Sequence, residues 1–472
     1  MPDDLELCFT PATILIEHIK RRALSPVDVL DATLRRVDAL NPTVNAFLTL
    51  DAERAYEVAR TAEATIARGE TPGPLYGLPV AIKDLENTKG LRTTNGSKFF
   101  ENNIPTADGA VAERVRAAGG IIYGKTNTPN FGHKDMCDNL LGPPTRNPWN
   151  LARTSGASSG GSGAAVAAGM ATLAQGSDGA GSIRIPASLC GIFGFKPSFG
   201  RVPYWPNVDF WAARSHNGPM TRTVRDSALL LSVIAGTDRR DPGSLDMPSI
   251  DWFAACDASE SLKGMRVGWS PDFGYVAVDP EVAASCAKAV KRFEELGCHI
   301  EELKPDWDDP REMAETMWFS TMAARHGDRY RQRPEWFEPS FARMIEAGLV
   351  MSGESVGKAQ MARSAFYESA RAVMDRYDLI VTPQMPDVAW PNDDQSPVIA
   401  GKRSPGIFDR VPFTFPFNLT GWPAASVPCG FNSEGLPIGL QIVAGWHQDA
   451  LVMTASAAFE AVQPWAERRP DL

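Results

Sequence analysis

Residues 177–187 read SDGAGSIRIPA, and within this run Ser182 has the setting of a nucleophile. It follows Asp178, Gly179, Ala180 and Gly181 and precedes Arg184 and Pro186. Glycines let backbone N–H groups turn toward one point, which is how a pocket for a developing oxyanion is built. A serine hydroxyl is a weak nucleophile until another group takes its proton. Histidine is the usual acceptor, but the chain has 6, and only His133 and His216 fall near the glycine-rich region. The question is which side chain deprotonates Ser182.

Three other patterns suggest chemistry and are better read as structure. GGIIYGKT (119–126) has phosphate-loop spacing. Its interior, Ile121-Ile122-Tyr123, is strand-forming and Pro129 follows soon after, so a core strand ending in Lys125 is expected. GASSG (156–160) has the spacing of a nucleophile elbow, which needs a strand before it and an acid and a histidine after it. Turn-like NPWNLARTS precedes it, and His447 lies in an ordinary strand-to-helix loop. SCAK (285–288) falls inside an amphipathic helical pattern over 280–296, with Cys286 on the apolar face. Cys298 and His299 are adjacent and no H-E-x-x-H occurs, so no metal site is expected.

Two serine-glycine segments remain, SGASSGGSGAAVAAG (155–169) and GSDGAGSIRIPAS (176–188). Ser158 and Ser182 lie far enough apart for a helix and a strand to run out and return. With GLPVAIKD (77–84) upstream and CGIFGFKPSFGRVP (190–203) downstream, the pair resembles the amidase signature family of serine hydrolases. LNPTVNAFLTL, GKTNTPNFG, GPPTRNPWN and FPFNLTGWPAASVPCG extend the resemblance over most of the chain.

The resemblance implies a triad of serine, a second serine entered through a cis peptide bond, and lysine. On the matching positions Ser182 is the nucleophile, Ser158 the bridge and Lys83 the base. An exposed lysine, with a pKa near 10.4, is no base at neutral pH, but burial disfavours its charge and lowers that value. Lys83 ends the apolar run Pro79–Ile82 and so suits the tip of a buried strand. Lys125 ends the next strand; physics alone leaves both lysines open, and the resemblance favours Lys83. The amides of Gly179, Ala180, Gly181 and Ser182 are the implied oxyanion hole, with Asp178 and Arg184 bracing the loop. Ala157 and Ala180 stand where the family commonly has glycine. A cis bond between Ala157 and Ser158 and a slightly narrower acyl pocket are therefore the expectations. Ser159 and Ser162 read as packing or helix-start residues.

These side chains need a scaffold, and the pattern supplies one. Helical runs over 26–40, ended by Asn41–Pro42, and over 51–68 come first. Strand-like runs at 78–84, 120–126, 172–178 and 191–197 then alternate with helical runs at 107–118, 161–171 and 222–235. After a loop-rich stretch (238–264), MRVGWS, HIEELK, DLIVTPQ, ASVPCGF and GLQIVAG read as strands, before a final helix from about 448. The alternation predicts one large α/β domain over 1–472, a central mixed β-sheet with helices on both faces, and a helical segment of about 1–70 packed on it.

A net charge of −10 and a pI near 5.3 argue against a nucleic-acid or anionic-membrane partner. Seven scattered cysteines without CxxC spacing, and an N-terminus with charge order opposite to a signal peptide, give a cytoplasmic expectation. No cofactor is expected. The partner implied is a small-molecule amide or carbamate, the protein itself being a monomer or homodimer.

Within the family, the overall look is closest to bacterial aryl acylamidases, nylon-oligomer amidases and urethanases. One rival is the glutaminase subunit of a glutamyl-tRNA amidotransferase, which carries glutamine after the signature arginine, where this chain has Ile185. An α/β-hydrolase-type esterase and a non-catalytic binding protein are rivals from other classes. Aromatic runs at 201–218, 317–322 and 384–391 are candidates for an apolar entrance or for core anchors.

Overall fold

The computed structural model of the chain describes residues 3–209 and 215–472. Its centre is an 11-stranded sheet. In chain order the strands are β1 (Phe47–Leu50), β2 (Pro79–Lys83), β3 (Ile121–Thr126), β4 (Leu173–Asp178), β5 (Phe193–Lys196), β6 (His216–Thr221), β7 (Arg266–Trp269), β8 (His299–Glu302), β9 (Leu379–Pro383), β10 (Ala424–Phe431) and β11 (Pro437–Val443). Their spatial order is β1-β3-β2-β4-β6-β5-β10-β11-β9-β7-β8. The β3-β2-β4 and β9-β7-β8 neighbours are parallel and the rest antiparallel, so the sheet is mixed and both halves of the chain share it.

Helices cover both faces, which is why β2, β3 and β4 are buried along their whole length. Along β2, Val80 and Ile82 join one apolar cluster while Ala81 joins another with Ala164 and Ala165. Strand period two then puts Lys83 on the Ala81 face, beneath helix α1 (Gly160–Ala167). The glycines of α1 have a steric reason: a Cβ at Gly161 would stand 2.4 Å from the Asn127 nitrogen. The helix therefore lies backbone against backbone on the loop after β3.

The expected strands are present, and GGIIYGKT is indeed the strand β3. The N-terminal helices pack as an outer layer, with the expected stop corrected: the helix from Pro26 runs through Pro42 to Val44. Pro42 lies within the last turn, where only the helix's final residues follow it, and the true stop is Asn45, left-handed at φ 53°. The 280–296 run divides into Pro280–Val290 and Arg292–Glu295, and Cys286 within it is fully buried. Strands β1 and β6 and the helices Arg311–Gln332, Pro339–Leu349 and Gly353–Met374 were not foreseen. HNGPMT, the sequence of β6, has a proline and a glycine and little strand propensity; pairing on both edges with β4 and β5 overrides it. Among the described residues no helix is long and apolar enough to cross a membrane.

Candidate active site

Lys83 is completely buried at the C-terminal end of β2. Its Nζ donates to Ser158 Oγ at 2.7 Å, Ser159 Oγ at 2.9 Å, Ser177 Oγ at 2.9 Å and the Ser177 carbonyl at 3.2 Å. Gln175 Oε1 accepts from the Lys83 amide at 3.0 Å and anchors the strand end. These partners are neutral, so burial dominates and pushes the amine down from its ordinary 10.5 to about 7; the negative charge of Asp178 opposes this only in part. A substantial share of Lys83 is then uncharged near neutral pH.

Lys125 is equally buried, but its hydrogen bonds go to the Glu86 carbonyl, Thr88 Oγ1 and Thr93 Oγ1. None goes to Ser158 or Ser182. Geometry therefore separates two lysines that the residue pattern left equivalent.

Ser158 and Ser182 each precede a helix, α1 and α2 (Arg184–Cys190) respectively, and the excursion between them is α1 plus β4. Their contact is a donation from the Ser158 amide to Ser182 Oγ at 3.4 Å. The expected cis bond at Ala157–Ser158 is not found: Trp205–Pro206 is the one cis peptide among the described residues. A non-proline cis bond costs about 3–4 kcal/mol. Here the trans form already brings Ser158 Oγ to Lys83 and turns the Ser158 amide toward Ser182.

The loop bearing Ser182 is held from beneath by Asp178 and Arg184, both fully buried. Arg184 Nε and Nη2 donate to the two Asp178 oxygens at 2.9 and 3.0 Å. Its remaining donors reach the Thr414 carbonyl, Gln441 Oε1 and Asn418 Oδ1. Burial alone would raise the Asp178 pKa, but the Arg184 charge and hydrogen bonds outweigh it and hold the carboxyl below its ordinary 3.8. Asp178 Oδ1 also accepts the Gly181 amide at 2.7 Å, which removes that N–H from the expected oxyanion set. Among the described residues the amides of Gly179, Ala180 and Ser182 have no protein acceptor. Gly181 itself has φ +123°, and a Cβ there would stand 2.5 Å from Thr414 Oγ1, so only glycine fits.

Arg184→Ala strands a buried carboxylate and two side-chain amides. We expect it to cost about 3–5 kcal/mol of stability, read as a lowered midpoint in urea unfolding; an unchanged midpoint would contradict the brace. Because the folded Asp178 carboxyl lies below its unfolded value, its stabilising contribution is present above about pH 4 and is lost as pH falls further.

Ser182 opens into a cleft of about 340 Å³ that Ser158, Tyr204, Asn207, Phe131, Trp318 and Arg325 help to line. The aromatic runs divide accordingly. Trp318, Thr321 and Met322 from 317–322 face the cleft, as do Tyr204 and Pro206–Asp209. Phe210 and Trp211, also in the 201–218 run, lie outside the described residues. The 384–391 run is core rather than entrance: Met385 and Trp390 are buried in an apolar cluster. No histidine serves Ser158 or Ser182. His133 bonds the Asn130 carbonyl and Ser340, His216 bonds the Asp178 carbonyl, and His326 stacks on Phe131.

A protein-family model described as Amidase matches residues 28–453. An acylamidase from Rhodococcus erythropolis is 41% identical over 468 residues, covering 97% of this chain and 96% of the relative. The chain belongs to the amidase family. It is a hydrolase of amide bonds, and the α/β-hydrolase reading of GASSG falls away. A glutamyl-tRNA(Gln) amidotransferase chain from Moorella thermoacetica is 36% identical, with 99% of each chain covered. Among solved structures, a bacterial aryl acylamidase of the amidase signature family superposes with a TM-score of 0.90 at 30% identity, with 97% of each chain covered.

Ser159 and Ser177 are the members of this candidate site that sequence reasoning passed over. Ser159 was expected only to pack, yet its Oγ touches Lys83 and donates to the Ser177 carbonyl at 3.1 Å. Period two along β4 puts Gln175 and Ser177 on one face, a signal that could have found both. Ser162, by contrast, is a packing residue, tied to Thr126 and the Gln175 carbonyl.

Proposed function

We propose that Ser182 is the nucleophile, Ser158 the proton bridge and Lys83 the base of an amidohydrolase for uncharged amides with a bulky, aryl-bearing amine. The observation that carries this reading is the Lys83 Nζ to Ser158 Oγ distance of 2.7 Å in a site whose burial lowers the amine toward neutrality, to about 7.

In the first step Ser182 Oγ bonds the carbonyl carbon, the C=O π pair moves onto oxygen, and the amides of Gly179, Ala180 and Ser182 receive that charge. The hydroxyl proton passes to Ser158 Oγ as the Ser158 proton passes to Lys83 Nζ. In the free enzyme Ser182 Oγ faces the Ser158 amide; rotation of the Ser182 side chain toward Ser158 Oγ completes the relay. Lys83 then returns its proton through Ser158 to the nitrogen as the C–N bond breaks. Water repeats the sequence on the acyl-enzyme and releases a carboxylic acid.

The acylamidase relatives support an anilide-type substrate. Carbamates present the same carbonyl and belong to the same chemical class. Release of ammonia from glutamine is less well supported: Ile185 is buried and apolar where that reading would place an amide. A hydrolysis screen over anilides, aliphatic amides, esters, a dianiline carbamate and glutamine tests the proposal, with Ser182→Ala as control. Anilide turnover that vanishes in the control is expected; glutamine as the preferred substrate would contradict it.

A further inference from the structure

Ser182 also borders a second, smaller recess, whose lining includes Ala157 but not Ser158. It measures about 20 Å³ and is walled by Ala157, Ala180, Ile185, Trp318, Phe408 and Val411. That is room for one or two water-sized groups, far less than the 340 Å³ cleft, so a methyl or ethyl group fits and a longer chain does not. The charged side chains beside it are already paired, Lys134 with Asp138 at 2.7 Å and Asp135 with Arg410 at 2.6 Å. Nothing polar is therefore asked of the occupant.

Trp318 is the partition between this recess and the 340 Å³ cleft, and it lines both. Its position is fixed from three directions. A Cβ on Gly179 would stand 3.0 Å from the indole, Nε1 donates to the His133 carbonyl at 3.3 Å, and Phe408 meets it edge-on at 6.4 Å.

The reacting carbon carries an oxygen, a nitrogen and an acyl substituent. Its oxygen is bound by the loop amides. Its nitrogen must face Ser158, which returns the proton, and Ser158 lines the cleft and not the recess. Only the acyl substituent is left for the recess. We infer that the recess is the acyl pocket, and that Trp318 and Ala180 restrict it to acetyl- or propionyl-sized groups while the cleft takes the larger amine. This rests on the reading of Ser182 as nucleophile.

The test is kcat/KM over a series of 4-nitroanilides, acetyl, propionyl, butyryl and hexanoyl, in the wild type, Trp318→Ala and Val411→Ala. In the wild type a fall of about tenfold or more between propionyl and butyryl is expected, continuing to hexanoyl. Widening the recess should cut the acetyl-to-hexanoyl ratio at least tenfold; Val411→Ala, which leaves the partition intact, guards against misfolding of Trp318→Ala. Wild-type cleavage of hexanoyl as fast as acetyl would overturn the pocket assignment while leaving Ser182 in place. A ratio unmoved in both folded variants would do the same. Failure of folded wild type on every anilide would instead overturn the nucleophile reading, and the inference with it.

Discussion

Lys83→Met is expected to lower kcat by roughly 10⁴-fold, the upper range for loss of a general base, with KM nearly unchanged. Methionine keeps the length and apolar stem of the side chain, so β2 and its contacts with α1 stay in place. What disappears is, among the described residues, the one basic group bonded to Ser158 Oγ. Ser159 and Ser177 retain their mutual hydrogen bonds, so the pocket does not collapse.

The pH profile separates a base from a spacer. In the proposed relay uncharged lysine is the active form, so wild-type kcat/KM should rise as pH rises through about 7 and level off above it. The residual activity of the variant should be flat through the same range. Stability carries the same sign. The folded Lys83 value lies below the unfolded 10.5, so the unfolded chain binds more protons between about pH 7 and 10.5. Lys83 therefore destabilises the fold most at and below neutrality, and the penalty fades as pH rises across that window. Thermal melts of wild type and variant at pH 7 and 9 should show the gap between them shift in favour of the wild type at the higher pH.

Ser182→Ala is expected to have the largest effect, a loss in kcat on the order of 10⁶-fold. In the proposed mechanism, removing the hydroxyl deletes the atom that forms the acyl-enzyme and leaves the Gly179, Ala180 and Ser182 amides where they were. The loop is fixed by Asp178 and Arg184 rather than by the Ser182 side chain. Folding stability should therefore change by no more than about 1 kcal/mol. An inactive but equally stable protein, shown by single-turnover kinetics beside urea unfolding, is the result that separates chemistry from scaffold.

The sheet was legible wherever apolar runs were unbroken. PVAIK and IIYGKT announce buried strands because both faces are covered, and the lengths between punctuating glycines and prolines fix their ends. HNGPMT was not legible, because its place in the sheet comes from neighbours far away in sequence. The long helices after 310 were missed although their pattern carries them: Phe341, Met344, Ile345 and Gly348 of Pro339–Leu349 recur at helical spacing and are buried. The aromatic run in Arg311–Gln332 drew attention as a possible entrance rather than as part of a helix.

At the site, residue types alone could not choose between Lys83 and Lys125, since both end buried strands. The family resemblance favoured Lys83, and the hydrogen bonds put Lys83, not Lys125, against Ser158. Asp178 and Arg184 were expected as a brace, yet the capture of the Gly181 amide by Asp178 was not, because it depends on a loop curvature that a sequence does not display. Ser177 hid in plain view beside Asp178; its role follows from which face of β4 meets Lys83.

The rate at which a serine-directed phosphonate labels the protein, followed against pH with the modified peptide identified by mass spectrometry, tests the Lys83–Ser158–Ser182 relay most directly. The labelled residue should be Ser182, with a rate that climbs through about pH 7 and then holds. Label on another serine, or a Ser182 rate indifferent to pH between 6 and 8, would contradict the account.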